Sequence, residues 1–154
     1  MTELDEIDWQ ILQALRNDAR ITNKDLAERL SIAPSTCLER VRRLHDRKVI
    51  LGHHAELNPK ALGLTVQAMI AVRLAKHARK EINAFRASML AMPEVVMLYH
   101  VSGAFDYLIH VMVRDTDALR DLILSGFTER PEVEHVETHL IFEQARSLSL
   151  PELD

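Results

Sequence analysis

The sequence contains little of what disulfide-bonded or membrane proteins depend on. Its 154 residues include a single cysteine, Cys37, so no disulfide can form within the chain. No apolar run reaches the roughly 18 residues that a membrane-spanning helix needs. The acidic residues 1–8 lack the basic and then apolar segments of a secretory signal. We therefore expect a cytoplasmic protein with no membrane partner.

Sequence signatures of the common enzyme classes are also missing. The glycines form no phosphate-binding loop, and neither G-x-S-x-G nor H-E-x-x-H occurs. The combined close Cys/His spacing of a zinc site is also missing, since the chain has a single cysteine. We expect no enzymatic activity, no catalytic residue, no structural metal and no cofactor.

Basic residues are concentrated in one part of an acidic chain. The net charge is −4, yet residues 20–48 hold eight basic and four acidic side chains, a local charge of +4. A local basic patch matters more to a polyanion than the overall charge does. This distribution indicates double-stranded DNA as a partner for the N-terminal part of the chain.

Apolar spacing predicts three helices in that basic part. The first carries an apolar stripe of Leu4, Ile7, Ile11, Leu12 and Leu15. Thr22 is placed to cap a short second helix, with Asp25 three residues on. After a tight turn at 31–33, Pro34 suits the first position of a third helix that runs to about Arg47. Three helices with such a turn predict a helix-turn-helix.

The third helix is predicted to separate a core side from a DNA-reading side. A helical wheel assigns Cys37, Leu38, Val41 and Leu44 to the core side. The predicted DNA contacts are Thr22, Ser35, Thr36, Glu39, Arg40, Arg42, Arg43 and Arg47. Among these, Arg43 is matched to guanine and Glu39 to cytosine, while the flanking arginines are matched to phosphates. A solvated face in a small helical bundle is the alternative, and Cys37 is expected to be a buried structural thiol.

The rest of the sequence changes period and predicts a second domain. A strand is expected over 50–57, ending at the breaker Asn58-Pro59. Further strands are predicted over 66–74, 95–101, 107–113 and 133–142, with helices around 82–89 and 119–127. This order, β-α-β-β-α-β, predicts a ferredoxin-like arrangement with strand order 4-1-3-2. We thus predict an α+β protein with a helix-turn-helix domain over 1–49, a strand linker over 50–63 and a ferredoxin-like domain over 64–154.

Three stretches of this sequence resemble the Lrp/AsnC family of regulators: LDEID at 4–8, CLERVRRL at 37–44 and VSGAFDY at 101–107. The resemblance covers about 4–143. It implies a winged or extended helix-turn-helix, a ligand-sensing domain and an amino acid as effector. It also implies homodimers that pack sheet on sheet and often assemble to tetramers or octamers. Ser31 and Ala33 depart from the family, in which many members have glycine and serine there; Ser31 is expected to be left-handed, and Ala33 is a poor cap.

The turn at 102–104 is the predicted effector site. Gly103 lies where a positive φ is often required, and Asp106 is suited to hold an ammonium group. The assigned effector residues are Tyr99, Val101, Gly103, Ala104 and Asp106. In the alternative interpretation, Asp106 only satisfies the backbone of the turn and Tyr99 belongs to the core.

Histidines recur in the predicted strands and raise a second hypothesis, a metal sensor. Alternation groups Leu98 with His100, His110 with Met112, and His135 with Glu137 and His139. We favour the interpretation that these residues form a semi-polar sheet surface covered by a second subunit. Because a lone sheet of this kind would expose an apolar face, at least a dimer is predicted.

Overall fold

The computed structural model describes residues 4–75, 79–147 and 149. The chain divides into two compact units. One contains the residues up to Glu56 together with those from Ala145, and the other is Leu57–Gln144. Each unit is described by itself below.

The N-terminal unit contains three helices, as the apolar spacing predicted. They are α1, Glu6–Asn17; α2, Asn23–Arg29; and α3, Pro34–Asp46. Asp5 caps α1 by accepting a hydrogen bond from the backbone N–H of Asp8 at 2.9 Å. Thr22 caps α2 through the N–H of Asp25 at 3.1 Å, which confirms its predicted role. The helices enclose a core of Ile11, Ala14, Leu26, Ala27, Cys37 and Leu44.

A residue in the left-handed conformation lies on each side of α3, one after the end of α2 and one after the end of α3. After α2, Ser31 has φ 55°, as expected for the turn. The N–H of Ser31 donates to Glu28 O and that of Ile32 to Ala27 O, which is a Schellman motif. After α3, Lys48 has φ 59°. The N–H of Lys48 donates to His45 O and that of Val49 to Leu44 O, which is a second Schellman motif. The sequence offered no glycine at either position, so both motifs retain backbone strain.

The strand predicted over 50–57 is not formed, and this prediction was wrong for the single chain. Residues 51–58 are exposed and carry no regular secondary structure. A strand is stabilised by a neighbouring strand, since each of its backbone N–H and C=O groups needs a partner. No such ladder reaches this segment in the described part of the chain.

The second unit has the predicted ferredoxin-like order. Its strands are β1, Val66–Leu74; β2, Val95–His100; β3, Tyr107–Val113; and β4, Val133–Leu140. They form one antiparallel sheet in the order β2-β3-β1-β4, which is the predicted 4-1-3-2 arrangement. The helices are α4, Arg79–Leu90, and α5, Thr116–Ile123, the latter continued by a turn of π-helix over Leu124–Thr128. A 3-10 turn, Lys60–Leu62, precedes the sheet.

One face of the sheet packs against the helices and forms the core of this unit. Alternation along β1 and β3 places apolar side chains on that face, and the two helices supply the facing layer. The core residues include Ile70, Val72, Ile109, Val111, Phe85, Met89, Leu119 and Phe127. The hydroxyl of Tyr107, buried in this core, donates to Ile82 O at 3.2 Å.

The opposite face, which we term the outer sheet face, carries Met69, Met97, Tyr99, Leu108 and His110. Met69 pairs with His110 and His139, while Tyr99 pairs with Leu108. An imidazole nitrogen of His110 lies 3.0 Å from Gln67 Oε1, and burial lowers the pKa of His110, which keeps its ring neutral at pH 7.

Strand register determines which histidines share a face. His110, His135 and His139 belong to the outer sheet face, because each lies directly opposite or beside Met69 or Arg73 of that face. His100 lies opposite Tyr107 instead and stacks on its ring at 4.9 Å, so it belongs to the helix side. The four strand histidines are therefore split between two faces.

Relief of the strain at Ser31 should stabilise the N-terminal unit. We expect Ser31→Gly to raise the free energy of unfolding by about 0.5–1 kcal/mol, because glycine adopts a positive φ without a steric penalty. Urea denaturation measures the change. Ser31→Ala is the matched control, since it removes the hydroxyl and keeps the strain; an equal gain in that variant would contradict the explanation.

Candidate DNA-reading helix and effector turn

Helix α3 exposes a continuous strip of side chains, Ser35, Leu38, Glu39 and Arg42, which we term the reading face. All four are exposed, whereas Cys37 and Leu44 on the other side are fully buried. The placement of Leu38 in the core was wrong, because 51% of its surface is exposed. Cys37 is buried as expected, and burial raises the pKa of its thiol.

Two of the predicted DNA-contacting arginines form ion pairs with acidic side chains at the start of the first helix. The Arg40 guanidinium donates to both carboxylate oxygens of Asp5, at 2.8 and 2.6 Å, and to Asp8 at 2.9 Å. Arg43 donates to both carboxylate oxygens of Asp8 at 3.1 Å. These ion pairs join α3 to the start of α1.

Asp8 is the buried member of this cluster. Only 1% of its surface is exposed, and a buried carboxylate needs charged hydrogen-bond partners to offset its desolvation. Asp5 is more open, with 53% of its side chain exposed, and the hydrogen bond from Arg40 lowers the pKa of its carboxyl group. Sequence reasoning missed this role, since the partners of Asp8 lie 32 and 35 residues further along the chain, beyond the reach of local spacing.

The remaining predicted DNA-contacting residues lie at the two ends of α3 or on α2. Thr36 is exposed beside the reading face. The hydroxyl of Thr22 both accepts from Asp25 N and donates to Asp25 Oδ2 at 2.7 Å, so its cap is closed. Arg47 follows the last residue of α3, and its Nε and one terminal nitrogen are buried without a hydrogen-bond partner in the described part of the chain. Arg42 forms no ion pair with the described residues.

The predicted effector turn joins β2 to β3 and is held by backbone hydrogen bonds. Gly103 has φ +119°, which confirms the predicted need for glycine. Val101 N–H donates to Asp106 O, and Asp106 N–H donates to Val72 O, both at 2.9 Å. The Asp106 carboxylate accepts from the N–H of Leu74 at 2.8 Å. Asp106 thus supports the neighbouring strand β1.

Tyr99 does not lie in the core. It is 47% exposed on the outer sheet face, two residues before the half-buried Val101, and Gly103 and Ala104 of the turn that follows are exposed as well. The alternative that made Tyr99 a core residue was wrong. The five predicted effector residues therefore lie at one end of the sheet, on its outer sheet face and in the turn that follows β2.

The histidine-rich strand β4 does not assemble a metal site among the residues that the structure describes. His135 and His139 each approach Glu137, at 3.2 and 3.7 Å, but no group of three or more ligands could hold an ion. In the same described ranges, no helix has the length and apolar character to cross a membrane.

Comparison with known proteins decides the family. Residues 4–45 match the model of the AsnC-type helix-turn-helix domain, and residues 67–149 match that of the Lrp/AsnC ligand binding domain. The chain belongs to the Lrp/AsnC family. It is a DNA-binding transcriptional regulator and not an enzyme, because this is a family of transcriptional regulators.

The sequence relatives of this Lrp/AsnC protein match it over nearly its whole length. The HTH-type transcriptional regulator AldR of Mycolicibacterium smegmatis is 44% identical over 147 residues, covering 96% of this chain and 86% of the relative. The leucine-responsive regulatory protein of Rhizobium meliloti is 37% identical over 144 residues, covering 94% and 92%.

Solved structures of similar proteins share the fold. A transcriptional regulator of Neisseria meningitidis in complex with L-Met has a TM-score of 0.89 and 31% identity, covering 97% of each chain. AsnC of Escherichia coli has a TM-score of 0.84 and 26% identity, covering 97% of this chain and 99% of that one. The helix-turn-helix and the ferredoxin-like domain expected from the sequence are thereby confirmed.

The ion pairs of Asp8 should contribute to the stability of the N-terminal unit. We expect Asp8→Asn to lower the free energy of unfolding by about 1–2 kcal/mol, because charge-assisted hydrogen bonds from two guanidinium groups are replaced by weaker bonds to a neutral amide. Urea denaturation followed by circular dichroism measures the loss.

The matched control is Asp5→Asn, at the exposed end of the same cluster. Asparagine caps a helix as well as aspartate does, so this variant removes a charge and keeps the cap. We expect a much smaller loss than in Asp8→Asn. Equal losses in the two variants would show that burial of Asp8 is not the cause.

Proposed function

We propose that the reading face of α3 enters the major groove of duplex DNA and that binding responds to an amino acid. The observation that carries the proposal is the exposure of Ser35, Glu39 and Arg42 on one side of a helix within the matched AsnC-type domain. Short hydroxyl side chains allow a close approach to the bases, and a carboxylate can accept from cytosine N4. Arg42 contacts phosphate, since it is the cation of this face and forms no ion pair with the described residues.

The other arginines act from the margins of this face. Arg40 positions α3 through its ion pairs with Asp5 and Asp8. The exposed 22% of its side chain is the part that can approach a phosphate. Arg43 remains the candidate for guanine, because 45% of its side chain is exposed and only one terminal nitrogen contacts Asp8. Thr36 is exposed beside this face and contributes a contact to the phosphate backbone. Thr22 and Arg47 flank the groove, where the Thr22 hydroxyl is engaged in its cap and the Arg47 guanidinium is partly buried.

The effector site of the proposal is the turn between β2 and β3. Backbone groups of Val101, Gly103 and Ala104 suit the charged ends of an amino acid, and the exposed ring of Tyr99 provides a wall for its side chain. The carboxylate of Asp106 attracts the ammonium group while it holds Leu74 N–H. The relative from Neisseria meningitidis was solved with L-Met, which supports this chemical class.

The outer sheet face is the surface through which we expect two copies of the chain to associate. Met97 and Tyr99 are about half exposed there, and an apolar surface of this kind is stable when a second copy covers it. We propose a homodimer that packs sheet on sheet and assembles further to a tetramer or octamer. Two reading faces about one helical turn of DNA apart would then bind a palindromic site.

Footprinting on the gene's own upstream region, with and without each of the common amino acids, tests the regulator as a whole. We expect protection of two half-sites, and a change in its extent or affinity with at least one amino acid. No protection at any concentration, or protection that no amino acid alters, would contradict the corresponding half of the proposal.

Loss of Arg42 should weaken all duplexes alike. We expect Arg42→Ala to reduce the slope of log K against log salt by about one unit, because one phosphate contact is lost. Fluorescence anisotropy at several salt concentrations measures the slope. Arg120→Ala is the control, since Arg120 on α5 is an exposed arginine outside the DNA-binding domain. An unchanged slope in Arg42→Ala would remove Arg42 from the interface.

Neutralisation of Asp106 separates its two proposed roles. Asparagine keeps a carbonyl oxygen for Leu74 N–H and loses the negative charge, so Asp106→Asn should fold while effector affinity falls by about ten- to a hundredfold. Titration calorimetry with the amino acid found by footprinting measures the affinity. Asp115→Asn, at the cap of α5, is the matched control. Unchanged affinity in a folded Asp106→Asn protein would exclude this residue from the site.

A further inference from the structure

Leu38 is an exposed apolar side chain that lies between Ser35 and Arg42 along α3, at the margin of the reading face next to the core side. It follows the fully buried Cys37 directly, yet 51% of its own surface is exposed. Isolated exposed leucines are common on protein surfaces and need no explanation by themselves. This one is flanked along the helix by Ser35, three residues before it, and Arg42, four residues after it, and these positions share one helix face.

Leu38 is the one apolar side chain of the reading face. Arg40 and Arg43 form ion pairs with Asp5 and Asp8 at the other margin of α3. A leucine has no hydrogen-bonding group, so it cannot distinguish bases by their donors or acceptors. The one apolar feature that base pairs present in the major groove is the C5-methyl group of thymine.

We propose that Leu38 determines part of the sequence specificity by packing against thymine C5-methyl groups in the major groove. The proposal rests on the proposed function, because it requires α3 to enter that groove. It adds a preference for thymine at one or two positions of each half-site, next to the positions contacted by Glu39 and Arg43. A leucine in this place excludes water from the methyl group, and such burial favours binding.

Replacement of thymine by uracil tests the contact atom by atom, since uracil differs in the major groove only by the missing methyl group. An operator is first selected from a random duplex library with the full-length protein. Each thymine of a half-site is then replaced by uracil, one at a time, and the affinities of the wild-type protein and of Leu38→Ala are measured by fluorescence anisotropy.

We expect uracil at one or two positions to weaken the wild-type protein about three- to fivefold, the effect of one buried methyl group. At those same positions Leu38→Ala should bind both duplexes equally. Leu90→Ala serves as the matched control, because Leu90 is 60% exposed at the end of α4, outside the DNA-binding domain. That variant should keep the wild-type sensitivity to uracil.

Three outcomes would overturn the proposal: equal uracil sensitivity in wild type and Leu38→Ala, a selected half-site with no fixed thymine, or loss of the dimer by light scattering in Leu38→Ala. The last would assign Leu38 to a protein contact. Should Leu38→Ala fail to fold by circular dichroism, Leu38→Val, which shortens the side chain by one carbon, gives the same comparison. If the wild-type protein selects no duplex at all, the proposed function itself fails, and this result differs from every outcome above.

Discussion

In the N-terminal unit, the carboxylate of Asp8 lies between α1 and α3 and accepts hydrogen bonds from Arg40 and Arg43. Transfer of this charge out of water is unfavourable, and the two guanidinium groups offset part of that cost. They hold one edge of α3 towards the start of α1, while the buried side chains of Cys37 and Leu44 hold another side of the helix in the core. Ser35, Leu38, Glu39 and Arg42 lie on the remaining, exposed part of the helix surface.

The second unit is governed by a different constraint, the difference between the two faces of its sheet. Alternation along β1 and β3 places aliphatic side chains against α4 and α5, and this face is complete within one chain. The outer sheet face combines methionines and Tyr99 with histidines, of which His110 is held neutral by burial next to Gln67. The turn after β2 lies at the end of that face. Assembly and ligand recognition, as proposed, therefore share one surface.

Local patterns in the sequence were sufficient for most of the fold. β1 and β3 were predicted at their observed bounds, because runs of alternating apolar residues define both their length and their faces. The strand predicted over 50–57 is not formed, since a strand needs a neighbouring strand to pair with and the local sequence does not specify one. Alternation alone grouped His100 with Leu98 and could not say which side of the sheet the two share. The pairing of His100 with Tyr107 places it on the side that faces the helices. Leu38 was misplaced because it lies about 100° around the helix from the buried side that Cys37 and Leu44 define, and its apolar character alone assigned it to the core. The Asp8 contacts, formed over 32 and 35 residues of sequence, could not be predicted from local spacing.

The cluster around Asp8 also limits how freely the DNA-contacting helix can be exchanged between related proteins. Grafting α3 alone onto another three-helix scaffold would carry Arg40 and Arg43 into a site without their acidic partners, and their guanidinium groups would no longer be held in place. The transferable unit of recognition in this protein is consequently α3 together with Asp5 and Asp8, a pair of elements separated in sequence by the whole of α2.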